Sequence, residues 1–169
     1  MDCARSLSYP CLSLLLICIG IAPATAQVSV HCRPAKPADQ PAIVFRIGGG
    51  LTGFAREWQI FPDGLICTGS GDDLAPPKLL AHERWKYVEN GRMPSGEVVQ
   101  LIDSIEKLGF FTMARGYYDA GACHQCNRYR ITVRKGARRR TVEGSDWKIS
   151  PEFRDMVSKI QDAVATATP

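Results

Sequence analysis

Short β-rich runs bounded by glycine and proline fill the first third of the chain's body, one of them alternating with a period of two, and that pattern predicts strands. Ala42-Ile43-Val44-Phe45-Arg46-Ile47 is a β-rich run closed by Gly48-Gly49-Gly50. Glu57 to Phe61 places Trp58 and Ile60 on one face, and Leu65 to Thr68 returns as a third strand. Pro62-Asp63-Gly64 between them is turn chemistry, with proline presetting φ and glycine accepting a positive φ. Arg84 to Val88 predicts a further strand. The period then changes. Val98, Leu101, Ile102, Ile105 and Leu108 recur at three- and four-residue spacing, which predicts a helix opened by Ser95 and stopped at Gly109. Phe153, Met156, Val157, Ile160 and Val164 form a second such stripe behind a Ser150 cap and Pro151 at the first helical position. Tyr129 to Val133 and Arg138 to Glu143 read as a hairpin around Lys135-Gly136. The order β-β-β-β-α-β-β-α predicts an α+β fold, with an antiparallel sheet of about five to six strands and two helices packed on one face.

Ahead of this body the pattern is of another kind. Arg5 precedes an apolar stretch from Cys11 to Ala22, followed by Pro23 and the small residues Ala24-Thr25-Ala26. About a dozen apolar residues are too few to span roughly 30 Å of hydrocarbon. A short run before an A-x-A site is the pattern of a cleaved export signal. Residues 1–26 are therefore expected to be a signal peptide, 27–41 a proline-rich arm, 42–165 a single domain and 166–169 a frayed tail. The mature protein is expected to be secreted or periplasmic, with no transmembrane anchor after cleavage. The net charge of +4 survives the cut, since one acid and one base leave with the signal. In an exported chain that mild excess does not point to nucleic acid.

Export changes the reading of the cysteines. Three of the seven leave with the signal, and Cys32, Cys67, Cys123 and Cys126 remain. An even set in an oxidising compartment reads as two disulfides. Three pairings are open, and the preferred one joins Cys123 to Cys126 and Cys32 to Cys67, tying the arm to the sheet. Two other uses of these residues compete. A zinc site could draw on the same four cysteines with His31 or His124, and Cys123-His124-Gln125-Cys126 has redox-centre spacing. That motif runs into Asn127-Arg128 and a strand, rather than opening the helix that a redox centre uses to stabilise its thiolate.

Two further features carry possible chemistry. Gly48-Gly49-Gly50-Leu51-Thr52-Gly53 fits G-x-G-x-x-G, but its last glycine leads into a strand instead of a helix N-terminus, so no nucleotide or other cofactor is expected. The same segment reads better as an exposed binding loop of Gly49, Gly50, Leu51, Thr52, Gly53 and Phe54, with Leu51 and Phe54 at its tip. Arg128, Arg130, Arg134, Lys135, Arg138, Arg139 and Arg140 load the last hairpin with positive charge. Alternation sends Arg128, Arg130 and Thr132 outward, where they could dock an acidic protein surface or an anionic envelope polymer or lipid. No catalytic constellation and no metal-binding motif is expected: Ser70 lacks a nucleophile-elbow pattern, and Asp72-Asp73 reads as loop decoration.

The segment Phe45-Arg46-Ile47-Gly48-Gly49-Gly50-Leu51-Thr52-Gly53, the helix ending Leu108-Gly109-Phe110-Phe111, the Tyr129 to Val133 strand and the closing helix together resemble the emfourin-type proteins, which are small bacterial inhibitors of thermolysin-like metalloproteases, and related exported domains. The resemblance implies a non-enzymatic binding domain whose partner is a protease or another exported protein. The signal, the four cysteines and the longer loop at 69–83 depart from that pattern.

Overall fold

The computed structural model describes residues 32, 40–49, 54–72, 85–117 and 126–168. The expected signal peptide, the tip of the glycine loop, Cys123 and the three histidines lie outside the described residues. The strands are β1 (Ile43–Gly49), β2 (Phe54–Ile60), β3 (Leu65–Asp72), β4 (Lys86–Arg92), β5 (Gly116–Tyr117), β6 (Asn127–Lys135) and β7 (Arg138–Ser145); the helices are α1 (Ser95–Lys107) and α2 (Pro151–Thr166). All seven strands join one sheet in the order β4-β3-β2-β1-β6-β7-β5, which puts β1 at its centre.

Alternation decides which side chains meet the helices. Ile43 and Phe45 pair across strands with Val133 and Ile131, and all four are buried with Ile60, Ile66 and Val142 in the main core. Against this face lie Val98, Leu101, Ile102 and Ile105 of α1 and Phe153, Met156, Val157 and Ile160 of α2. Phe45 stacks on Trp58 with ring centroids 5.4 Å apart. Burying each large apolar side chain contributes up to about 1.5–3 kcal/mol, so this single layer of contacts dominates the stability. Both helices therefore cover one face, as the stripes predict, and the other face of the sheet, here called the outer face, carries the intervening residues.

Several local expectations hold and several need correcting. The Pro62-Asp63-Gly64 turn closes with Gly64 N–H donating to Phe61 O at 2.9 Å, while the Asp63 carboxylate accepts from Leu65 N–H at 3.1 Å. Ser150 caps α2, its hydroxyl accepting from Phe153 N–H at 3.2 Å. Ser95 does not cap α1: Pro94 occupies the cap position without a side-chain hydrogen bond, and its carbonyl accepts from Glu97 and Val98. The sheet is also not purely antiparallel. It has seven strands, and the two-residue β5 runs parallel to β7 at the edge. The fourth strand starts two residues later than expected and runs to Arg92, with a bulge opposite Ile66/Cys67. Thr168 lies in the stretch expected to fray, yet it exchanges backbone hydrogen bonds with Arg92 at 2.8 and 3.2 Å.

Candidate functional site: the loop-bearing end and the outer face

The proposed binding loop leaves the sheet from its most enclosed strands. β1 is paired along its length with β2 on one side and β6 on the other, and β2 is paired with β3 beyond it. Residues 50–53 lie outside the described residues, but both strand ends that hold them are defined. Gly49 adopts φ +104°, and a Cβ there would sit 2.8 Å from the carbonyl oxygen of Cys126, so the backbone approach at the loop's base requires glycine. Phe54, expected at the loop's tip, instead opens β2 at the other base, three residues before the expected strand start, and is 52% exposed.

The same end of the sheet gathers the start of β6 and the end of β7. Asn127 and Asp146 clasp there: Asp146 N–H donates to Asn127 O, and Asn127 N–H donates to the Asp146 carboxylate, both at 3.1 Å. The Tyr129 phenol is pushed up to about 12, first by burial and then by hydrogen bonding to Asp146. Next to Asp146, Trp147 is 69% exposed. Phe54 and Trp147 thus rise from the same end of the sheet on β2 and just after β7, about 14 Å apart at ordinary strand spacing. Cys126, which leads into β6, is disulfide-bonded.

The outer face holds an arrangement that the sequence reading missed. One crosswise row of paired residues runs Tyr87, Gly69, Glu57, Arg46, Arg130, Glu143, from β4 to β7. The Tyr87 hydroxyl donates to Glu57 Oε1 at 2.7 Å, and Gln59 donates to the same oxygen at 3.0 Å. Burial drives the Tyr87 phenol far above its ordinary range, and the Glu57 hydrogen bond adds to it. Arg46 lies over the Trp85 ring, 4.8 Å from its centroid, and Trp85 is buried. Arg130 Nε meets Glu143 Oε1 at 2.5 Å. Glu143 itself is raised above the usual carboxylate range by burial, a rise that Arg46 opposes. The signal for this row was present as Arg46, the one charged residue of β1, and Glu57, which alternates with Gln59 on β2.

Beside the row, Cys32 and Cys67 form a disulfide with a Cα–Cα distance of 5.8 Å, and Cys32 N–H donates to Tyr87 O at 3.3 Å. The preferred pairing of these two residues is therefore the one found, and neither is a thiolate available to zinc. Phe61, Leu65 and Cys67 form a small second core here, with Cys32 and Tyr87 packed against it.

The basic hairpin divides between the two faces. On the helix side, Lys135 Nζ bridges Asp103 at 2.6 Å and Glu106 at 2.5 Å, and Arg138 reaches Glu106 at 2.6 Å while lying over Phe111. Arg140 donates to the carbonyl of Met113. Lys135 first and Arg138 second hold the Glu106 carboxyl below its ordinary range. These three cations fasten the hairpin to α1 and the segment after it. On the outer face stand Arg128, Arg130, Arg134 and Arg139, and of these only Arg130 has a carboxylate within ion-pair distance among the described residues. Among the described residues, no three His, Cys, Asp or Glu side chains converge on a point that would suit a metal ion.

No protein-family model matches the chain, and a search of curated proteins finds no match to it.

Proposed function

We propose that this chain is an exported, non-enzymatic binding domain that engages another exported protein through the loop between β1 and β2, with a metalloprotease of the thermolysin class as the partner to test first. The observation that carries this reading is the mounting of the loop. Its two bases, Gly49 and Phe54, end interior strands that are hydrogen-bonded on both sides, so a partner that grips the loop finds its ends already fixed. Prefixed ends lower the ordering cost of association. The exposed ring of Phe54 at the base adds apolar area to such a contact. The Cys32–Cys67 bridge is compatible with an oxidising compartment and with the export pattern at the N-terminus.

The thiol-disulfide alternative has weaker support, because Cys126 is followed by β6 and not by a helix whose dipole would lower a thiol pKa. Titrating a thermolysin-class protease with the mature protein at micromolar concentration tests the leading reading. Dose-dependent loss of turnover is expected, abolished when Leu51 and Phe54 are both replaced by Gly. Unchanged turnover at saturating protein would remove protease inhibition, and inhibition retained by the double variant would remove the loop as its contact.

A further inference from the structure

We infer that the outer face of β6 and β7 is a second interaction surface, built to hold an extended acidic segment of a partner polypeptide. Arg128, Arg130, Thr132 and Arg134 occupy alternate positions of β6 and so project from one face. Across β7 their partners are Ser145, Glu143, Thr141 and Arg139; across β1, Arg128, Arg130 and Thr132 face Gly48, Arg46 and Val44. The flanking residues are mostly small, so the guanidinium groups stand above their surroundings. Thr132 is nearly buried and shares a 2.9 Å hydrogen bond with Thr141, which makes a neutral step in the middle of the row.

Two observations point to a ligand rather than to a solvated face. Arg134 lies directly opposite Arg139, and like charges placed opposite each other across strands destabilise a sheet unless something neutralises them. The chain does supply carboxylates to the other half of the hairpin: Asp103 and Glu106 take Lys135 and Arg138. It leaves Arg128, Arg134 and Arg139 without one among the described residues. The three are arginines, whose planar forks suit bidentate carboxylate recognition. Arg130 retains donors beyond the Nε that meets Glu143.

The period of the row selects the occupant. Same-face positions on β6 recur about every 6.6–6.8 Å, which is also the spacing of same-side side chains in any extended polypeptide. A segment with Asp or Glu at alternate positions, laid along β6, sets one carboxylate over each cation and a neutral residue over Thr132. Trp147 stands exposed near the Arg128 end of the row, but among the described residues no exposed large apolar side chain flanks Arg130, Arg134 or Arg139, so an anionic membrane is the poorer fit. This surface does not depend on the loop reading, and each can fail without the other.

The test uses the mature protein and two fluorescent peptides of identical composition, one alternating Ser and Glu and one with the same residues in two blocks. The alternating peptide should bind more tightly, with affinity falling steeply as salt rises. Replacing Arg128, Arg134 and Arg139 by Ser should weaken it by about tenfold. Replacing the charge-matched Lys107, Arg154 and Lys159 on the helices should leave it nearly unchanged. Thermal melts of both triple variants show that the fold is intact, and the first should melt no lower than the parent once the opposed pair is gone. Equal binding of the two peptides, an equal loss in the helix variant, or tighter binding of polyphosphate or of vesicles containing anionic lipid would overturn the assignment.

Discussion

The phenolic hydroxyl of Tyr87 on edge strand β4 reaches over β3 to hydrogen-bond the Glu57 carboxylate on β2, and it can do so because the residue between them is Gly69. A Cβ at Gly69 would lie 2.6 Å from Tyr87 Cε1 and 2.7 Å from Cδ1. A missing side chain on one strand thus makes room for a ring from the next, and the edge of the sheet is tied to its interior.

Replacing Gly69 with Ala should therefore displace the Tyr87 ring and cost about 1–3 kcal/mol. Tyr87→Phe keeps the ring and removes only the charge-assisted bond, for which a loss of about 1.5–3 kcal/mol is expected. Urea denaturation of the two variants checks both. If Gly69→Ala is neutral, the ring is not held in place over the glycine.

Alkaline pH should weaken the fold between about pH 10 and 12. The Tyr129 phenol sits at about 12 in the folded chain against 10 when unperturbed. An acid whose folded pKa is raised stabilises the fold while it stays neutral. Its contribution is whole below pH 10 and fades as pH rises through 12. Tyr129→Phe should flatten part of the fall in denaturation midpoint over that range; Tyr87, raised by burial, and Lys135, raised by its hydrogen bonds to Asp103 and Glu106, also contribute to the fall. Identical slopes in parent and Tyr129→Phe would contradict the assignment.

Acid should loosen the hairpin from α1. Glu106 is held below its ordinary carboxylate range by Lys135 and Arg138, so its contribution is present at neutral pH and lost as pH falls through that lowered value. The melting temperature of the parent should drop more between pH 7 and pH 3 than that of Glu106→Gln, in which the pair is already broken. Because these groups are partly open to solvent, the difference should be small and should shrink in high salt.

Loss of the Cys32–Cys67 bridge should be costly. The two residues are 35 positions apart, and a bridge closing a loop of that order contributes about 2–4 kcal/mol. Guanidinium denaturation of the Cys32→Ala/Cys67→Ala variant against the oxidised parent measures the difference. Because Cys67 is buried, the parent should also keep this bridge in mild reductant.

What the sequence disclosed follows the range of the interactions involved. The β2–β3 hairpin, the Ser150–Pro151 start of α2 and the inward set Tyr129, Ile131 and Val133 are local, and they read directly from neighbouring residues. β5 was invisible because Gly116-Tyr117 is too short to show a period and is a strand only by pairing with β7. β4 was misplaced for a similar reason: Lys86 to Arg92 has no apolar alternation, and pairing with β3 defines its extent. At the candidate surfaces, the glycine loop and the cluster of cations could be seen as composition. Which cations were engaged could not, because the acids that hold Lys135 and Arg138 come from α1, some thirty residues earlier.

The hydrogen bonds between Thr168 and Arg92 have a consequence for the open edge of the sheet. Sheet edges recruit foreign strands when a long run of backbone is open to them. Cys32 takes the carbonyl of Tyr87 near one end of β4, and Thr168 takes both backbone groups of Arg92 at the other. Between them lie Val88, Glu89, Asn90 and Gly91, a stretch that is short, apolar only at the exposed Val88, charged at Glu89 and interrupted by a bulge. An edge of that kind is a poor template for the addition of a foreign strand.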